Sequence, residues 1–124
     1  MALAKEIMGG GLSAGQAQAI GGQGVSLAGT GTIQGDAAEI KSSIVIATGA
    51  DGTVGIRLPA GQVGDEVWVF NNSASTLKVW PNVGAGITVT GTGLGTANSS
   101  YAHLTYKTVL YKMQSATQWF IVVT

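Results

Sequence analysis

The chain contains no cysteine and a single histidine, and only 10% of its 124 residues are charged, against roughly 25% in an ordinary soluble domain. Without cysteine there is no disulfide framework and no thiolate metal site. Six Lys/Arg offset six Asp/Glu, and no basic cluster supplies the electrostatic footprint that nucleic acid requires. The apolar runs fall far short of the roughly 20 residues that span a bilayer. Neither nucleic acid nor membrane is therefore expected as a partner. Met1–Met8 (MALAKEIM) sets Lys5 and Glu6 where a signal peptide needs its apolar stretch, so synthesis in a cytoplasm is expected.

Glycine fills much of the space that charge leaves. Ten of the twenty glycines fall in residues 1–38, among Ala and Gln and with no aromatic residue. Short helices are expected there at Ala2–Met8 and at Ser13–Ile20, the latter capped by Ser13. Such a segment cannot bury enough apolar surface to offset its own ordering entropy. Residues 1–38 therefore read as a Gly-rich arm that orders on a partner. Zero net charge points the same way, because uncharged surfaces associate.

From residue 39 to 124 the texture changes to short strands separated by Gly, Asn, Asp or Pro. The segments are Ile40–Ala47, Val54–Leu58 after the Asp51-Gly52 turn, Glu66–Asn71, Thr76–Trp80, Ile87–Thr90, Ser100–Thr105, Thr108–Met113 and Gln118–Val123. Alternation in Glu66–Asn71 puts Val67 and Val69 on one face, Trp68 and Phe70 on the other. Gln114–Thr117 reads as a four-residue hairpin loop. No long helix is available after residue 38 to cross over between parallel strands. The expected fold is all-β, an antiparallel, jelly-roll-like β-sandwich of about eight strands.

Catalytic signals are sparse. Gly11-Leu12-Ser13-Ala14-Gly15 matches the G-x-S-x-G nucleophile elbow, and Asp65 and His103 follow in the required order. The elbow needs a buried strand before its serine, and here stand Met8-Gly9-Gly10. His103, between Ala102 and Leu104, reads as a half-exposed strand residue that satisfies its ring nitrogens locally. Zinc lacks further His or Cys ligands. Asp36 with Glu39, and Asp65 with Glu66, follow no calcium-loop spacing. Asn71-Asn72-Ser73 and Asn98-Ser99-Ser100 read as turns rather than glycosylation sites. No phosphate-loop motif is present. No cofactor and no enzymatic activity are expected. Most aromatic residues fall in alternating strand segments and read as core. Trp80, before Pro81 at a strand end, is the candidate exposed aromatic.

One texture is familiar. It runs Leu58-Pro59-Ala60-Gly61-Gln62-Val63-Gly64-Asp65-Glu66-Val67-Trp68-Val69-Phe70-Asn71-Asn72, continues through Leu77-Lys78-Val79-Trp80-Pro81, Gly84 and Ile87, and closes in Gln118-Trp119-Phe120. This resembles small structural proteins of tailed bacteriophages, a group that includes head decoration (cement) proteins and β-rich modules of head or tail fibres. The resemblance covers residues 54–124 and departs at Ala85-Gly86-Ile87-Thr88, where Asn is expected after the Ile. It implies a capsid decoration protein, a homotrimer on the outer surface of the virion, bound to the major capsid protein. The arm's apolar residues Leu3, Ile7, Met8, Leu12, Ile20, Val25, Leu27 and Ile33 are then the expected contacts with capsid or sister subunit. A second expectation is a fibre module that stacks Trp80 on a host-surface glycan.

Overall fold

The computed structural model describes residues 24–123. Among them the chain forms ten strands: β1 (Gly24–Ala28), β2 (Ala38–Glu39), β3 (Ile44–Thr48), β4 (Gly55–Arg57), β5 (Glu66–Asn71), β6 (Leu77–Trp80), β7 (Gly86–Thr88), β8 (Tyr101–His103), β9 (Thr108–Ser115) and β10 (Gln118–Val123). One short 3-10 turn, Gln34–Asp36, lies between β1 and β2. The fold is nearly all β and has two mixed sheets. One sheet runs β1-β3-β5-β9-β10-β7, the other β2-β4-β6-β8.

Purely antiparallel pairing is not what forms. Five of the eight strand pairs are parallel. The reason is the path of the chain. From β1 to β6 successive strands alternate between the sheets, so each crossover between parallel neighbours is itself a strand of the other sheet. A parallel pair needs a long connection, and a strand of the facing layer meets that need as well as a helix does. Antiparallel pairing enters late, where β9 inserts between β5 and β10 and where β8 joins β6.

Both sheets turn their apolar faces to one shared core. Its main row is Val45–Val69–Val109, and the same register continues outward to the exposed Val25 and Val123 at the two ends of the ladder. Val67, Tyr111 and Ile121 form the next row. The second sheet supplies Ile56, Leu77 and Val79. Alternation separates the two faces of β5, but the inward one is aliphatic. Val67 and Val69 are buried, while Trp68 and Phe70, expected in the core with most of the aromatic residues, lie half-buried on the outer face. Of the aromatic set only Tyr111 and Trp119 are fully buried.

The compositional break at residue 38 does not mark a structural one. Residues 24–28 are a strand of the larger sheet. Thr30 and Gly55 exchange backbone hydrogen bonds of 2.9 and 3.3 Å. Gln34 Nε2 donates to the Pro81 carbonyl at 2.8 Å, and Arg57 Nη1 donates to the Gln34 carbonyl at 3.1 Å. Backbone pairing to the β-branched strand β3 (IVIAT) compensates for the weak strand propensity of a Gly-rich segment. The expected four-residue hairpin loop is shorter, because β9 runs on to Ser115 and only Ala116 and Thr117 turn before β10.

Candidate interaction surfaces

The polar groups with chemical potential are committed to structure. His103 is fully buried, not half-exposed. Its Nε2 lies 2.6 Å from the Lys107 carbonyl and its Nδ1 lies 2.9 Å from Tyr111 Oη. A carbonyl only accepts, so Nε2 carries the proton, and Nδ1 accepts from the tyrosine hydroxyl. Burial holds the imidazole pKa below its ordinary value, against a smaller opposing pull from the Lys107 carbonyl. Burial also pushes the Tyr111 hydroxyl well above the ordinary tyrosine range. Both ring nitrogens are thus occupied and shielded, and the ring cannot serve as a general base. Asp65 spends its carboxylate on the Gln62 backbone N–H at 2.8 Å. Ser13, the remaining member of the hydrolase pattern, lies outside the described residues.

Asn71 is likewise a structural device. It is fully buried, and its Nδ2 group faces the carbonyls of Ser75, His103 and Leu104 at 2.9, 3.2 and 3.3 Å. It ties the loop after β5 to the loop after β8. No group of three or more His, Asp or Glu able to hold a metal ion occurs among the described residues. No helix among them is long and apolar enough to cross a membrane.

The expected contact residues separate. Leu3, Ile7, Met8, Leu12 and Ile20 lie outside the described residues. Leu27 is half-buried and packs against the protein's own core, because its register with Ala47 turns it inward. Val25 and Ile33 remain exposed. Trp80 is not the exposed aromatic. It is half-buried, and its indole edge lies against Gly55, where a β-carbon would meet Nε1 at 2.9 Å. Lys78 Nζ lies 6.0 Å from its ring centroid. The parallel register sets Gly55 beside Lys78 on the neighbouring strand, and the missing side chain there makes room for the indole.

A different surface stands out. On the outer face of the six-stranded sheet, register aligns Ile44, Trp68, Leu110 and Val122 across β3, β5, β9 and β10. Ile46 and Phe70 form a parallel ridge beside them. Ile46 is 38% exposed and Val122 55%. Glu66 and Lys112 are the only charged residues at outward strand positions of this sheet among the described residues, and they pair with each other at 3.7 Å. The outer face of the four-stranded sheet differs, since it carries Glu39, Arg57 and Lys78. The alternation of Glu66–Asn71 put Trp68 and Phe70 on one face, but the partner strands were needed to add the rest.

At the margin of the six-stranded sheet lies a cleft of about 280 Å³ lined by Thr88, Val89, Thr90, Gly91, Thr92, Phe120 and Ile121. Phe120 lies at its edge, 39% exposed. No protein-family model, no curated protein and no solved structure matches this chain.

Proposed function

We propose that this chain is a capsid decoration protein of a tailed bacteriophage, a β-sandwich subunit that acts by packing rather than by chemistry. It is made in the host cytoplasm, assembles as a homotrimer, and binds the major capsid protein on the outside of the head, where it reinforces the joints between capsomers. The observation that carries this reading is the broad, nearly uncharged apolar face of the six-stranded sheet, on a chain whose net charge is zero. Extended apolar faces on soluble domains mark interaction sites. The sequence resemblance across residues 54–124 supplies the phage context. The exposed side chains of Val25 and Ile33 are available to a capsid or sister subunit.

The test is co-sedimentation of the purified chain with phage heads that lack it. Saturable, stoichiometric binding that raises the temperature at which heads rupture is expected. Heads that neither bind the chain at micromolar concentration nor gain stability would overturn the reading.

The cleft beside β7 favours a second reading, a fibre module that binds a host glycan. An exposed aromatic ring beside threonine hydroxyls suits a sugar, and here the ring is Phe120 rather than Trp80. Saturable binding on a glycan array, lost in Phe120→Ala and kept in Trp80→Ala, would establish it in place of decoration.

A further inference from the structure

We infer that the outer face of the six-stranded sheet is where copies of this chain meet one another. The inference rests on reading the protein as an assembly component. A face that packs against itself has two-fold symmetry, so it joins copies in pairs in place of a threefold arrangement and leaves the capsid to other exposed residues such as Val25 and Ile33.

Size is the first support. Strands spaced about 4.8 Å apart and five residues long at about 3.3 Å each make β1, β3, β5, β9 and β10 a field of about 24 by 17 Å. That is roughly 400 Å² of flat footprint per copy, before the relief of large side chains is added. Two copies together make roughly 800 Å² of flat footprint, which the relief of the side chains raises toward the ~1,200 Å² at the lower limit of stable interfaces. The residues are of the right kind, since interface centres are rich in Trp and Phe and poor in charge.

Charge selects the occupant. The one acidic and one basic side chain on the face already neutralise each other within a single subunit. Such a face offers nothing to attract a charged partner surface. It meets a copy of itself without like-charge repulsion, which is the requirement of self-association. Shape agrees. The row Ile44–Trp68–Leu110–Val122 and the ridge of Ile46 and Phe70 stand two residues apart along the strands. Ridges at that spacing leave a groove into which the ridge of a second sheet fits, about 10 Å away as in ordinary sheet-on-sheet packing. The opposite sheet, with its charged outer positions, keeps its face in solvent.

The test uses the full chain, and its lack of cysteine makes it clean. The native mass at about 10 μM is measured by light scattering for wild type and for Leu110→Glu. The wild type is expected at a multiple of 12.5 kDa. The charge placed at the centre of the face is expected to weaken self-association at least about 100-fold. Lys78→Glu, on the other sheet, is expected to leave the mass unchanged. Should Leu110→Glu fail to fold, Leu110→Cys takes its place. Oxidation is expected to link its subunits in pairs, whereas Lys78→Cys stays unlinked. A wild type that is monomeric, or a folded Leu110→Glu of wild-type mass, overturns the inference. A monomeric Leu110→Cys variant whose introduced thiol resists maleimide would place residues 1–23 over the face. A monomer with a reactive thiol that still binds heads would place the capsid there. Either result overturns the inference. Oligomers that fail to bind heads leave it standing and reject decoration instead.

Discussion

Acidification should destabilise this protein through one buried ring. The unfolded chain binds a proton on His103 near the ordinary imidazole pKa of 6.5. The folded chain holds that pKa lower, because the ring is desolvated, and the Lys107 carbonyl opposes this only in part. Below pH 6.5 the unfolded state therefore carries more protons than the folded state, so stability falls as pH falls. The loss begins at the unfolded pKa and continues down to the folded one. Its slope is at most about 1.4 kcal/mol per pH unit, the value for one proton.

Urea denaturation at intervals between pH 7.5 and 5 measures that slope, and His103→Gln separates the histidine from the carboxylates. The variant is expected to be less stable at neutral pH but flatter between pH 6.5 and 5.5. Identical slopes in the two proteins would refute the reasoning. So would an imidazole signal in the folded protein that titrates at or above 6.5. The same geometry makes Tyr111→Phe costly by about 1–3 kcal/mol, since it leaves a buried ring nitrogen without its donor.

Three further sets of substitutions probe the backbone and the core. Gly95→Ala is expected to destabilise the protein by more than about 2 kcal/mol in thermal melts, because a β-carbon there would fall inside contact distance of the Ile87 carbonyl group. Tyr106 adopts φ 55° in a turn with its side chain exposed, so Tyr106→Gly should relieve backbone strain and stabilise by up to about 1 kcal/mol in urea. The valine row is its own control: Val→Ala should cost about 2 kcal/mol at Val45, Val69 and Val109, which are 2%, 0% and 0% exposed, and well under half of that at Val25 and Val123, which are 44% and 50% exposed. A flat profile along the row would contradict the register.

Side-chain sorting was legible where hydropathy and alternation agree. Glu66–Asn71 and Gln118–Val123 stand at the bounds read from the sequence. The Asp51-Gly52 turn stands as well, with Gly52 at φ 90° and Asp51 Oδ1 accepting from the Thr53 and Val54 backbone N–H groups. In Ser100–Thr105 hydropathy misleads. It favours Ala102 and Leu104 as the inner face, yet Ala102 is exposed, Leu104 is 55% exposed and His103 is buried. The polar face goes inside because Tyr111 and the Lys107 carbonyl stand ready to satisfy the imidazole. The partners follow only four and eight residues later, but alternation alone does not show that the chain turns back to bring them to the ring. Trp80 misled for a similar reason: its packing depends on the absence of a side chain at Gly55, on a neighbouring strand.

Strand partners were the least legible feature, and that follows from what alternation encodes. A period of two says which side chains face the core but not which strand lies alongside. The segments of β1, β3 and β5 (GVSLA, IVIAT and EVWVFN) share little beyond a valine that meets its equivalents in register. A repeat carried by one inward position per turn of the chain is too thin to detect in a Gly- and Thr-rich sequence. Structurally it is one row of a larger core, in which Tyr111, Trp119, Leu58 and Leu77 fill the remaining space between the two sheets. The outer face is under no such constraint from its own core. Its large apolar side chains on β3, β5, β9 and β10 need a reason from outside the subunit, and contact between copies supplies one.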